Sequence, residues 1–143
     1  MGNVRDILKA KNYPAITIAP HITVYEALKL MVENNIGALL VIDNNKLAGI
    51  FTERDYARKV ILLGKTSKET LISEIMSQKL ITVTPDSTME DCMQLMTNKF
   101  IRHLPVLEND ELVGIVSVGD VVKYIINEQK FIIEHLEHYI KGR

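Results

Sequence analysis

The feature that most constrains this chain is an internal repeat. Sliding the sequence by 65 positions aligns residues 16–56 with residues 81–121 without a gap, and 14 of the 41 aligned pairs are identical. Self-similarity of this kind indicates two copies of one supersecondary unit. The matched pairs include Pro20 with Pro85, Thr23 with Thr88, Met31 with Met96, Gly49 with Gly114, and Asp55 with Asp120.

Each copy predicts the same order of elements. A short β-branched run at residues 16–18 or 81–83 predicts a brief strand that ends before a proline. A helical apolar pattern follows, then two strand-length apolar runs separated by a polar turn. A second helix comes last, and in the first copy it spans residues 53–63 and ends at Gly64. The sequence therefore predicts an α+β fold of two β-α-β-β-α units related by pseudo-twofold symmetry, with terminal helices.

One such unit would leave a face of its small sheet exposed, so we expect the two units to pack together with clefts between them. The expected division is a first repeat with an N-terminal helix (1–68), a second repeat (69–126) and a C-terminal helical extension (127–143). The extension has more apolar residues than one small domain needs to cover its end, which favours a homodimer. The alternative is a terminal helix that folds back on its own chain.

Composition narrows the class of partners. The chain has 17 Lys and Arg against 18 Asp and Glu, and this balance argues against a nucleic-acid-binding protein held by phosphate contacts. No apolar stretch reaches the roughly 18 residues that span a bilayer, so no membrane partner is expected. A single cysteine supports neither an internal disulfide nor a Cys-rich zinc site. With no export signal in view, the expected location is the cytoplasm.

One motif occurs at the same place in both copies. GIFTERD (49–55) and GIVSVGD (114–120) share the form G-h-h-[T/S]-x-x-D, where h is apolar, at a predicted strand-to-helix junction. The first turn of a helix has unpaired N–H groups and a partial positive charge, which favour an anion. A carboxylate one turn later can accept hydrogen bonds from both hydroxyls of a ribose. The alternative is a simple capping box, which needs the same residue types and no ligand.

The duplicated unit and this motif resemble a tandem pair of CBS domains, a Bateman module, over about residues 4–126. TERDYARKV (52–60) and EHLEHYI (134–140) resemble small stand-alone prokaryotic members of that family. The resemblance implies a regulatory or sensor module, not an enzyme, that binds AMP, ADP, ATP or NAD, and less readily S-adenosylmethionine, between the repeats. Occupancy would change the arrangement of a dimer or of an unidentified protein effector. The alternative is a structural dimerisation or protein-interaction module with no physiological ligand.

The resemblance also implies two crossed binding sites, in which Asp55 and Asp120 hold ribose hydroxyls while Thr52 and Ser117 meet phosphate. The implied site around Asp55 consists of Thr52, Arg54, Asp55, Arg58, Lys79, Leu80, Ile81, Ile101, Arg102 and His103. The implied site around Asp120 consists of Tyr13, Ile16, Ile36, Gly37, Ala38, Ile115, Ser117 and Asp120.

The two sites differ in charge. Arg102 and His103 stand where the first copy has Gly37 and Ala38, and Arg54 is replaced by glycine in the second copy. Guanidinium groups pair bidentately with phosphate, so we expect anionic nucleotides to bind more tightly at the Asp55 site. The alternative places Arg54 and Arg58 on a solvated helix face, paired with Glu53 and Asp55. No metal site is expected, and His135 and His138 are interpreted as surface residues of a helix.

Overall fold

The structure, a computed structural model, describes residues 2–11 and 14–141. Helix α1 (Val4–Lys11) precedes the first repeat, and helix α4 (Ile72–Ile75) precedes the second. The first repeat contains β1 (Thr17–Ile18), α2 (Val24–Asn34), β2 (Ala38–Asp43), β3 (Lys46–Thr52) and α3 (Glu53–Tyr56), which continues as a π-helical turn over Ala57–Ile61. The second contains α5 (Met89–Lys99), β4 (His103–Glu108), β5 (Glu111–Ser117) and α6 (Val118–Ile140). The predicted α+β class is confirmed.

The strands form two small sheets. In the first repeat β1 pairs in parallel with β2, and β2 pairs antiparallel with β3. In the second repeat β4 and β5 form an antiparallel pair. Each hairpin turns on two residues with positive φ, Asn44 and Asn45 in the first and Asn109 and Asp110 in the second, as expected for a type I′ turn.

The predicted strand at residues 81–83 is wrong. Val83 makes only an isolated parallel bridge to Val106, in which Val83 N donates to Pro105 O (3.0 Å) and Leu107 N donates to Val83 O (2.9 Å). The next rung of a parallel ladder would need an N–H from Pro105, which proline lacks. Leu40 occupies the equivalent position in β2, and there the pairing extends over two residues, Thr17 and Ile18.

Each repeat has its own apolar core, and each core is completed by the helix that precedes the other repeat. Ile72 and Ile75 of α4 pack with α2, β2 and β3 of the first repeat. Val4 and Ile7 of α1 pack with α5, β4, β5 and α6 of the second. This exchange is the reciprocal packing that a pseudo-twofold pair requires. The predicted division at residues 68 and 126 therefore follows chain order, whereas packing assigns α1 to the second repeat.

Helix α6 extends well past the second repeat. Val121 is buried in its core, but residues 129–141 are exposed all along the helix. The alternative, a terminal helix that folds back on its own chain, is therefore wrong for these residues. Large apolar side chains remain accessible on it, including Leu136 at 55% and Tyr139 at 83% exposure. Within residues 2–11 and 14–141, no helix combines the length and hydrophobicity that crossing a bilayer requires.

Candidate ligand-binding sites between the repeats

A cavity of about 660 Å³, here called cavity 1, lies between the two repeats. Its volume is within the roughly 300–1,000 Å³ typical of ligand pockets. All ten residues predicted around Asp55 line it, so the structure brings that set together, although their contact with a ligand stays a prediction. The sequence reasoning missed several other lining residues of this cavity, namely Ile50, Glu53, Lys59, Ser77, Lys99, Phe100 and Pro105.

Asp55 is held by hydrogen bonds on both carboxylate oxygens. Its Oδ2 accepts from Thr52 N (2.9 Å) and Thr52 Oγ1 (3.1 Å), while Thr52 Oγ1 accepts from Asp55 N (3.2 Å). Its Oδ1 accepts from the Ser77 hydroxyl (3.0 Å) and lies 3.2 Å from Lys59 Nζ. A capping box therefore forms at this junction. A ribose bound here must share the carboxylate with Ser77 and Lys59 or displace them.

Cations surround the same cavity. Arg54 Nη1 donates to the Phe100 carbonyl (2.9 Å), which links the two repeats and differs from the pairing with Glu53 or Asp55 that the alternative required. Arg58, Lys79, Lys99 and Arg102 also line cavity 1, and none of their four side chains makes a hydrogen bond or salt bridge to another described residue. An excess of unpaired positive charge at a concave surface attracts anions.

Phe100 is the strained residue of this cavity. It caps the C-terminus of α5 in the left-handed conformation (φ 55°), which is unfavourable for a bulky side chain, and it is 77% exposed. The equivalent residue at the end of α2 is Asn35 (φ 52°), a residue type that tolerates this conformation. The second repeat therefore places an exposed aromatic ring at cavity 1 at a conformational cost.

A second, smaller cavity of about 250 Å³, here called cavity 2, lies on the other side of the pair. Seven of the eight residues predicted around Asp120 line cavity 2, namely Ile16, Ile36, Gly37, Ala38, Ile115, Ser117 and Asp120. The eighth, Tyr13, lies outside the described residues. The sequence reasoning missed Lys11. At a spacing of 68, RDIL (5–8) in α1 resembles SEIM (73–76) at α4, and the same spacing matches Lys11 with Lys79, a predicted residue of the other site.

Lys11 dominates the chemistry of cavity 2. Its Nζ donates to Asp120 Oδ2 (2.9 Å) and to the Ile115 carbonyl (2.9 Å). The same carboxylate oxygen accepts from Ser117 N (2.9 Å), and Ser117 Oγ accepts from Asp120 N (3.1 Å), so a capping box forms here as well. The side chains of Lys11 and Asp120 are only 15% and 20% exposed. The positive charge of Lys11 in cavity 2 is thus already balanced by the carboxylate of Asp120.

His103 lines both cavities. Burial lowers the pKa of its imidazole below the usual value, the Asp120 charge opposes this shift, and Lys11 and Arg102 add to it. The imidazole is therefore neutral near pH 7 and can act there as one donor and one acceptor.

Other candidate residues carry no site. His135 and His138 are exposed on α6, as predicted, and the His135 ring packs against Phe131 with centroids 4.4 Å apart. Cys92 is buried, and burial raises the pKa of its thiol, which disfavours the reactive thiolate. In the described part of the chain, no group of three or more His, Cys, Asp or Glu side chains could hold a metal ion.

Comparison with known protein families agrees with this structure of two interlocked repeats, each with a capped carboxylate at its strand-to-helix junction. The family model of the CBS domain matches this chain twice, over residues 4–61 and 72–127. The chain belongs to the CBS-domain family. Both matches include the preceding helix, α1 or α4, and the second ends inside α6, so most of the exposed part of that helix lies beyond the family unit.

Relatives of this CBS-domain protein are similar over most of its length. The CBS domain-containing protein CBSX3, mitochondrial, of Arabidopsis thaliana is 42% identical over 97% of this chain and 72% of its own. A CBS-domain protein of Burkholderia ambifaria MC40-6 that is assigned to signal transduction is 48% identical, with a TM-score of 0.85 over 89% of this chain and 96% of its own. A hexameric CBS-CP12 protein from bloom-forming cyanobacteria is 31% identical, with a TM-score of 0.75 over 84% of this chain and 66% of its own. These names refer to CBS domains and signalling and to no catalytic activity, and the predicted cytoplasmic location is untested.

Proposed function

We propose that this chain is a regulatory module that binds an adenine nucleotide in cavity 1 and responds by changing how its repeats, or two copies of the chain, are arranged. The observation that carries the proposal is the charge of a nucleotide-sized cavity. Arg58, Lys79, Lys99 and Arg102 line it, and their side chains have no partner among residues 2–11 and 14–141, so an anion would relieve their mutual repulsion. The adenine preference comes from the CBS resemblance. The signalling role of the Burkholderia relative fits the same interpretation.

The cavity has two parts with different chemistry. Leu80, Ile81 and Ile101 supply apolar surface suited to a base, whereas the cations supply a phosphate-binding side. With four unpaired cations, we expect a ligand with two or three phosphates, such as ADP, ATP or NAD, to bind more tightly than AMP.

A ligand in cavity 1 would touch both repeats at once. Residues 52–58 belong to the first repeat and residues 99–103 to the second, and the Arg54–Phe100 hydrogen bond already joins the two sides. A nucleotide changes the arrangement only if it binds one arrangement more tightly than another. We propose that it favours the arrangement in which the two sides of cavity 1 are closest.

Thermal unfolding with AMP, ADP, ATP, NAD and S-adenosylmethionine tests this function. A ligand present at a hundred times its dissociation constant adds about 2.7 kcal/mol to the free energy of unfolding. The expected order of stabilisation is ATP, then ADP and NAD, then AMP. Ligand-free protein that is stabilised by none of these compounds would contradict the proposal, and turnover of any of them would return catalysis to consideration.

A second candidate function, an interaction module without a ligand, is favoured by one observation, the exposed apolar face of α6. Ile132, Leu136 and Tyr139 lie on one side of this helix, at least half exposed. We propose that this face supports self-association, which the hexameric relative fits. Leu136→Glu should lower the molecular mass measured by sedimentation, whereas Glu134→Gln on the polar side should not. An unchanged mass for Leu136→Glu counts against this role of α6.

A further inference from the structure

Each cavity holds its motif carboxylate with a side chain from an equivalent segment of the chain. Ser77 follows α4 and donates to Asp55, while Lys11 ends α1 and donates to Asp120. The spacing of 68 that matches α1 with α4 places both residues in the same short stretch of the unit. The two cavities thus share a construction in which the segment leaving the preceding helix contacts the carboxylate.

The two contacts differ in strength. At Asp55 the tethered group is a neutral hydroxyl, and the neighbouring cation Lys59 lies four residues along the same helix with 40% of its side chain exposed. The Asp55 carboxylate is only 10% exposed, but Lys59 also donates to the Ile75 carbonyl and the Ser77 hydroxyl, so it keeps acceptors when a ligand takes its place at Asp55. At Asp120 the tethered group is a cation from another element, and both partners are mostly buried. Separating a buried pair leaves an uncompensated charge and is much more costly.

The small volume of cavity 2 agrees with this difference. Its volume of about 250 Å³ falls below the usual range for ligand pockets, while cavity 1 lies well within that range. Among the described lining residues, Lys11 is the one Lys or Arg of cavity 2, and Asp120 neutralises it.

We propose that Lys11 is an internal ligand of cavity 2, occupying the Asp120 carboxylate in place of sugar hydroxyls, so that each chain binds one nucleotide, at cavity 1. The proposal rests on the proposed function of cavity 1. Lys11 is thereby the residue that determines the stoichiometry of nucleotide binding, and the duplicated motif alone does not make a second site.

Calorimetric titration with AMP, the smallest nucleotide of the set, tests the role of Lys11. Wild-type protein should bind one AMP per chain, and Lys11→Ala should bind two, because the substitution frees the carboxylate and enlarges cavity 2. Lys9→Ala, an exposed position on the same helix, is the matched control and should bind one. Lys11→Arg keeps the charge and should also bind one. Lys11→Ala combined with Asp120→Asn should return to one.

The outcomes separate this inference from the proposed function. Two AMP molecules per wild-type chain, or one per folded Lys11→Ala chain, would overturn the role of Lys11 and leave the proposed function intact. If none of the proteins binds AMP and none binds ATP in the same titration, the proposed function is overturned instead. Circular dichroism establishes that each variant is folded, and if Lys11→Ala is not, Lys11→Met retains the packing and is judged by the same stoichiometry.

Discussion

Cavities 1 and 2 arise from the same duplicated motif, yet they differ in size, charge and strain. Cavity 1 is more than twice as large and has four cations without a described partner, while cavity 2 is closed by one buried ion pair. The junctions themselves are nearly identical, since Thr52 with Asp55 and Ser117 with Asp120 form the same capping box. Duplication has therefore conserved the scaffold, and a few flanking residues have made the two cavities chemically different.

The residues that differ flank the motif or occupy its variable positions, where Arg54 aligns with Gly119. Arg102 replaces Gly37 and Phe100 replaces Asn35 at the entrance to the second strand of each repeat, and both larger residues line cavity 1. The capping box stabilises each junction whether or not a ligand is present. Under the proposed function, the residues that differ, rather than the shared capping box, would determine which of the two equivalent junctions binds a nucleotide.

The largest expected effect is on stability, and it should differ between the two carboxylates. Asp120→Ala removes a cap and takes the paired carboxylate away from the mostly buried Lys11 ammonium, so it should lower the free energy of unfolding by about 3 kcal/mol. Asp55→Ala also removes a cap, but Lys59 is partly exposed and hydrogen bonds to the Ile75 carbonyl, so about 2 kcal/mol is expected.

Urea unfolding measures both losses. Adding Lys11→Ala to Asp120→Ala should recover part of the stability, because the stranded charge is removed with its partner. A greater loss for Asp55→Ala than for Asp120→Ala would contradict the view that the buried ion pair is the stronger of the two contacts.

A charge reversal should distinguish the cavities by affinity. Arg58→Glu places an acid at cavity 1 and should weaken ATP binding by about 30-fold, or about 2 kcal/mol, as expected for losing a hydrogen bond to a charged group. Lys123→Glu is the matched control, because Lys123 is the counterpart of Arg58 at the spacing of 65 and lines neither cavity. Calorimetric titration gives both constants, and equal weakening by the two variants would show that overall charge rather than cavity 1 attracts the nucleotide.

Much of this arrangement could be predicted from the sequence, because the repeat makes each copy a check on the other. The strand-turn-strand patterns and the junctions at Asp55 and Asp120 follow from local periodicity and capping, which need no tertiary information. The strand at residues 81–83 failed because Pro105, a distant residue, removes the donor that the pairing needs. Local pattern cannot reveal the partner of an edge strand.

The contents of each cavity were predicted where the alignment at a spacing of 65 drew attention to a residue, and they were missed outside the aligned segments. Arg102 and His103 stood out because they replace Gly37 and Ala38. Lys11 and Ser77 did not, since each reaches a carboxylate that is far away in the chain. The exchange of α1 and α4 between the repeats creates both contacts, and it depends on how the repeats pack.

A smaller effect is expected at the ends of the equivalent helices α2 and α5. Phe100→Asn gives α5 the residue type that ends α2, and it should raise the free energy of unfolding by about 1 kcal/mol because asparagine tolerates the left-handed conformation. The same change should weaken ATP binding by about fivefold to tenfold, since stacking of a base on an aromatic ring contributes about 1–3 kcal/mol. Unchanged affinity would mean that the exposed ring does not contact the base.

The smallest expected effect concerns His103, which both cavities share, and it appears as a dependence on pH. Its pKa in the folded chain lies below the value of about 6.5 in the unfolded chain, so the folded protein binds fewer protons once the pH falls below that value. The free energy of unfolding should therefore decrease as the pH falls from about 6.5 towards the folded pKa. Above this interval His103 should not affect the pH dependence of the free energy of unfolding. An anion in cavity 1 favours the imidazolium, so the affinity for AMP should rise a few-fold as the pH falls through the same interval.

His103→Gln should remove both slopes while keeping a side chain of similar polarity. Measuring unfolding and AMP binding at about pH 5.5, 6.5 and 7.5 in wild type and variant isolates the imidazole, because the phosphate of AMP titrates equally with both proteins. If the difference between the two proteins does not change with pH, His103 does not exchange a proton on folding or on binding. The two cavities would then share a residue but no electrostatic coupling through it.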